Sequence, residues 1–324
     1  MTNDGSTVDE LTKVADQLEN EGRLEEALKL WTVAIQKTSN PIALCRFGDI
    51  AAQLGKTSEA EQAFLSASKM TPDLPNPYNQ LGILYFEEGR FNEAETQFKR
   101  SLRIERTASV LTLLGVVEIE LGLMADARHD FEEALRLDNT YEEAYYNLGL
   151  TYREHKPSRA IHFFKKAIEI DPQYSMAHRE LGWVYRRLGQ SSEATYHLRK
   201  AVELDGFDGW AYIYLGNTLW SEGESDDAET CFKNSIEVWP DDSVPYWCLA
   251  VFYEYENRPN DAVQLYEQAL ARDPDDAIAN KSFGKYLLDS GQYDKARLYL
   301  QKALALNAED TITRSALTQL ESQQ

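Results

Sequence analysis

Residues 75–107 read PNPYNQLGILYFEEGRFNEAETQFKRSLRIERT, and their spacing decides the fold. In the first half, Tyr78, Leu81, Gly82 and Tyr85 recur at steps of three and four, which is one face of an α-helix. Gly89 follows where the helix must stop, and a left-handed residue there lets the chain reverse. Ala94, Phe98 and Ser101 then form a second stripe at helical spacing. The segment predicts two helices joined by a tight turn.

The same arrangement recurs along the chain. Gly48, Gly82, Gly115, Gly149, Gly182, Gly216 and Gly284 each follow Phe or Leu at steps of 33 or 34, except that 216 to 284 skips one. Ala250 fills the gap and Ala15 extends the series backward. Twelve residues after each comes an alanine (Ala27, Ala60, Ala94, Ala127, Ala194, Ala228, Ala262, Ala296), or eleven for Ala160, and four later a large side chain: Trp31, Phe64, Phe98, Phe131, Phe164, Leu198, Phe232, Tyr266 and Leu300. Several units end in proline, as at Pro72, Pro172, Pro240 and Pro274.

This coupled pattern resembles the tetratricopeptide repeat, a hairpin of about 34 residues. The resemblance spans residues 8–310 as nine units: 8–40, 41–74, 75–107, 108–141, 142–174, 175–208, 209–242, 243–276 and 277–310. It implies an all-α, right-handed solenoid without internal domain boundaries, because one hairpin buries its apolar face only by stacking on the next. Residues 1–7 are expected to be disordered. Residues 311–324 are expected to form a capping helix on Ile312, Ala316, Leu317 and Leu320. Three departures stand out: Glu118 where position 11 of the unit is otherwise mostly aromatic or leucine, Arg106 in place of a closing proline, and Pro157 after a shortened turn. They lead to an expectation of altered curvature around units three to five.

A formal charge of −21, from 33 basic and 54 acidic residues, repels nucleic acid and anionic lipid. The start, Met1 to Asp9, has no basic or apolar leader region and no stretch is long and apolar enough to span a bilayer, so a soluble, cytosolic protein is expected. Cys45, Cys231 and Cys248 have no metal or disulfide spacing and read as reduced. Gly55-Lys56-Thr57 lacks the earlier glycine of a phosphate loop, since Ile50 stands there. His129, His155, His162, His178 and His197 show no metal pairing. Asp241-Asp242 and Asp273 to Asp276 read as turn and helix-capping residues. No catalytic residue, cofactor or metal is expected, and a homo-oligomer is compatible with the sequence but not indicated by it.

If positions 4, 7, 8 and 11 face the second helix, positions 2, 5, 9 and 12 lie on the far side of the first, at about 100° per residue. In tetratricopeptide arrays that side lines the concave surface, so these positions, with 6 and 13, are the ligand-facing ones by resemblance. They hold Tyr146, Leu150 and Arg153 in unit five; Arg179, Trp183, Arg186 and Arg187 in unit six; Trp210, Tyr214, Asn217 and Trp220 in unit seven; and Trp247 and Tyr255 in unit eight. Phe86, Val116, Ile119, Ile213 and Val251 fall on the same positions. Aromatics and arginine anchor interfaces. Packing between adjacent first helices is the competing role for any one of the aromatics, and Glu154 and Glu180 are placed to neutralise Arg153 and Arg179.

The expected function is a non-catalytic scaffold or adaptor that binds a protein or peptide segment carrying acidic and apolar or aromatic residues. The alternative is a regulatory or substrate-recognition subunit of an enzyme assembly. A chaperone-type carboxylate clamp matches only at Asn217, with Ile213 where its partner position falls, and the asparagine ladder of protein O-glycosyltransferases matches only at Asn147. Neither reading holds.

Overall fold

Every hairpin closes on one contact between its two helices. In the computed structural model, a Cβ built on Gly82 would lie 2.5 Å from the ring of Phe98; on Gly115, 2.6 Å from Phe131; and on Gly149, 2.6 Å from Phe164. Leu198 and Leu300 play the same part over Gly182 and Gly284. Units one and eight place Ala15 and Ala250 in the same buried clusters as Trp31 and Tyr266. The alanines twelve residues on, such as Ala94 and Ala127, have no exposed surface, so two backbones approach across small residues while the ring fills the space beside them.

The structure describes residues 5–38 and 40–321, with side chains from Val8 onward. They form 19 α-helices, two to each of the nine expected units and one beyond them. The chain divides into two compact units, residues 1–170 and 171–324. The first holds α1 (Gly5–Asn20), α2 (Leu24–Lys37), α3 (Pro41–Gln53), α4 (Thr57–Met70), α5 (Asn76–Glu87), α6 (Phe91–Ile104), α7 (Ala108–Glu120), α8 (Met124–Leu137), α9 (Glu142–Tyr152) and α10 (Pro157–Ile170). The second holds α11 (Ser175–Arg187), α12 (Ser191–Leu204), α13 (Gly209–Glu222), α14 (Ser225–Val238), α15 (Val244–Tyr255), α16 (Pro259–Arg272), α17 (Ala277–Asp289), α18 (Tyr293–Leu306) and α19 (Thr311–Glu321). Of the stretch expected to be disordered, residues 1–4 lie outside the described residues, and α1 already begins at Gly5.

Within each unit a second helix packs on the next first helix, as α6 does on α7 and α12 on α13. Successive first helices also touch, α7 with α9 in one unit and α11 with α13 in the other. The turns follow from backbone chemistry. Gly89 sits at φ 72°, and this left-handed step lets the Arg90 amide donate to the Tyr85 carbonyl at 2.8 Å. Gly55 takes the same conformation, so Gly55-Lys56-Thr57 is a hairpin turn. Asn257, at φ 59°, replaces the glycine in unit eight. The shortened turn of unit five closes without any left-handed residue, by a bond from the Lys156 amide to the Tyr152 carbonyl.

The acidic junctions cap helices as expected: Asp276 accepts from the amides of Ile278 and Ala279, and Asp208 from that of Ala211. Cys45, Cys231 and Cys248 are buried and unbridged, and burial pushes the thiols of the first two up to about 11. The C-terminal helix packs on α17 and α18. Its buried stripe is Thr313, Ala316 and Leu320, with Leu317 beside them, whereas Ile312 is exposed. Thr313 belongs there because its hydroxyl donates to Asp310 at 2.9 Å.

The ring contact decides the sign of a substitution. In a helix interior, glycine to alanine is favoured by up to about 1 kcal/mol on propensity. At Gly82 the added Cβ meets the buried Phe98 ring, so Gly82→Ala is expected to destabilise by roughly 1–3 kcal/mol. Gly206, in the turn between α12 and α13, where a Cβ would sit 4.0 Å from its nearest neighbour, controls for added bulk in open space. Urea unfolding of both variants measures the difference.

Candidate functional site

The residues assigned to the outer side of the first helices separate by position. Position 5 is turned inward in every case that was singled out. Tyr146 is buried with its ring 6.0 Å from that of Phe164, and Ile213 is buried. Trp247 is half-buried against the cores of units eight and nine, its indole nitrogen enclosed without a hydrogen-bond acceptor. Tyr146 meets the second helix of its own hairpin and Trp247 packs on the cores of units eight and nine, so the assignment of both to an open face is corrected.

Arg179, also at position 5, is the charged version of the same placement. Its guanidinium lies 3.1 Å from Glu180 and 2.8 Å from Asp208, and both carboxylates are almost fully buried. Asp208 simultaneously caps α13. The ion triad ties unit six to unit seven, and Arg179 is spent on it.

The other residues assigned to this side in the second unit, Trp183, Arg186, Arg187, Trp210, Tyr214, Asn217, Trp220 and Tyr255, are half-buried or exposed. Trp183 is half-buried, with the Arg187 guanidinium 4.7 Å above its ring, a cation–π placement. Trp210 and Tyr214, one turn apart on α13, have ring centres 5.7 Å apart. Trp220 meets Tyr255 of α15 edge-on at 5.2 Å, and Tyr255 is 72% exposed. Asn217 donates its amide to the Ile213 carbonyl of its own helix, as Asn147 does to Glu143.

Arg186 differs from Arg179 and Arg187 on the same helix. It is half-buried, it has no ion pair among the described residues, and Tyr214 on the neighbouring helix is a group close enough to act on it. Burial lowers its pKa below the usual arginine value, the mark of a cation not fully compensated. In the first unit, Leu150 is half-buried, and the Arg153 Nε lies 3.5 Å from Glu154.

Sequence reading missed Trp239, which lies edge-on to Trp210 at 5.8 Å and sits against Gly209, 2.5 Å from where a Cβ would stand. It also missed an acidic cleft of about 550 Å³ on α3 and α5, lined by Glu19, Asp49 and Glu87 with Arg46 and Gln80. Burial pushes Asp49 up to about 6 there. Among the described residues, His129, Asp130 and Glu133 come together on α8, but Glu133 already carries Arg106 at 2.5 Å. No described helix is long and apolar enough to cross a membrane.

Family models of the tetratricopeptide repeat match residues 42–74, 79–142, 112–175, 163–196 and 255–320. The chain belongs to the tetratricopeptide repeat family. No protein of curated function matches its sequence. A tetratricopeptide repeat protein from Parabacteroides merdae is 19% identical, with 76% of this chain and 98% of that one covered and a TM-score of 0.63. Cut9–Hcn1, a hetero-tetramer of the APC/C, gives 10% identity, 97% and 96% coverage, and a TM-score of 0.58. Yeast Tom70 gives 17%, 94% and 77%, and 0.52. These likenesses are of fold: this tetratricopeptide chain is an all-α solenoid of helical repeats. Such repeat proteins are generally protein-interaction scaffolds.

The triad predicts a large stability effect. Arg179→Ala leaves two nearly buried carboxylates without their counter-charge, and urea unfolding is expected to show a loss of roughly 3–5 kcal/mol.

Proposed function

We propose that the tetratricopeptide array is a non-catalytic scaffold whose first-helix face in units six to eight binds a partner segment carrying acidic and aromatic or apolar residues. The observation that carries this reading is Arg186. In a chain of net charge −21, a half-buried guanidinium with no ion pair among the described residues stands near Tyr214, one turn along α11 from Trp183. A carboxylate delivered from outside would supply the missing charge, and the rings would shield that contact from water and strengthen it. Trp210, Trp220 and Tyr255 extend the apolar surface along α13 and α15.

The chemistry favours a peptide over nucleic acid, whose phosphates the surplus of carboxylates repels. Free buried thiols suit a reducing, cytosolic setting.

The test uses short synthetic peptides that vary charge and aromatic content independently, with tryptophan fluorescence as readout. Peptides combining aspartate or glutamate with aromatics are expected to bind. Arg186→Glu is expected to weaken that binding by at least about tenfold, and Trp210→Ala to weaken it at unchanged helicity. Equal affinity of both variants and the parent for every peptide overturns the proposal.

A further inference from the structure

One junction between repeats is built differently from its counterparts, and the difference is a buried acid. In units three and eight, position 11 is a tyrosine whose hydroxyl donates to a carboxylate on the preceding second helix: Tyr85 to Glu61 at 2.8 Å, and Tyr253 to Glu229 at 2.6 Å. An arginine from the following turn, Arg90 or Arg258, lies over the ring at 4.1 or 3.8 Å. The same arginine reaches the same carboxylate at 3.2 Å in both places. Carboxylate, phenol and guanidinium satisfy one another.

Unit four keeps the receiving carboxylate, Glu95, but puts Glu118 at the tyrosine's place and Leu123 at the arginine's. Glu118 is 2% exposed, and its Oε2 has no hydrogen-bond partner. The charged groups that act on it are Glu95 and Lys99 from α6 and Asp126 and Asp130 from α8. Lys99 is bound to Glu95 at 2.5 Å and stands 3.8 Å from Glu118. Lys99 is thus shared between Glu95 and Glu118, while Asp130 has the exposed His129 ring 3.1 Å from its carboxylate. Burial, with the charge of Asp130 added, pushes Glu118 up to about 7.

We propose that Glu118 makes the α6–α7 junction a proton-sensitive joint: protonated, it is a neutral buried side chain in the tyrosine's place, and ionised, it adds a buried negative charge beside Asp130, Asp126 and Glu95 and loosens the seam. The folded chain holds this proton more tightly than the unfolded chain, where a glutamate ionises near 4.5. The stabilisation is therefore complete below about 4.5 and lost as the pH rises through about 7.

The experiment compares the full chain with Glu118→Gln, which keeps the shape and a neutral donor. At about pH 8, amides of α6 and α7 are expected to exchange roughly tenfold faster in the parent than in Glu118→Gln, and at about pH 5 equally fast. A carbon-13 titration of the parent's glutamate carboxyls is expected to place Glu118 near 7. Equal exchange at both pH values overturns the proposal, as does a Glu118 carboxyl that ionises near 4.5. If Glu118→Gln does not fold, the titration of the parent decides alone.

Discussion

A large side chain pressed against a small residue one helix away, glycine in seven hairpins and alanine in two, sets the spacing of each hairpin, and the other features inherit that spacing. Glycine inside a helix costs about 0.5–1 kcal/mol relative to alanine, and the chain meets this cost at Gly48, Gly82, Gly115, Gly149, Gly182, Gly216 and Gly284. Burial of the facing side chain offsets it, at roughly 1.5–3 kcal/mol for a phenylalanine or leucine. Because this contact is internal to one hairpin, it recurs with little variation. The contacts between hairpins use residues that differ from unit to unit, and the chemistry of this chain is concentrated in them.

That division explains how much the sequence could reveal. The period, the turns and the nine hairpins were legible because each depends on residues within one unit, at spacings a self-comparison detects. Gly82 and Phe98 point to each other across sixteen residues whatever lies outside the hairpin. Position 5 was misread because its environment belongs to other helices: for Arg179 it includes Asp208, the cap of α13. A helical wheel assigns Tyr146 an angle in α9 but cannot include the Phe164 ring that meets it from α10. Ile312 is the reverse case, apolar and on a plausible face, yet left exposed while Thr313 is buried with Asp310 as its acceptor. Glu118 was visible as a departure from the pattern. That it would stand among Glu95, Asp126 and Asp130 required coordinates.

Two arginines of α11 show how little residue type alone decides. Arg179 and Arg186 are two turns apart on one helix. Arg179 projects into the seam with unit seven and meets Glu180 and Asp208, so its charge is consumed by the fold. Arg186 lies toward the helix end, where no described carboxylate pairs with it. Breaking a buried ion pair is costly even where forming it contributes little net stability. The triad therefore fixes how units six and seven meet more than it strengthens the chain. The proposed binding face draws on the charge of Arg186, which no ion pair among the described residues takes up.

The distribution of tryptophan has a spectroscopic consequence. Of the six, only Trp31 belongs to the first compact unit, and it is buried in the first hairpin; Trp183, Trp210, Trp220, Trp239 and Trp247 all belong to the second. Indole emission from this protein is therefore dominated by residues 171–324. The first unit contributes chiefly through tyrosine, apart from that one enclosed indole. Fluorescence excited selectively at the indole band and circular dichroism summed over all helices thus report on different parts of the same molecule. Any discrepancy between their melting curves distinguishes the order in which the two units lose structure, with no label attached.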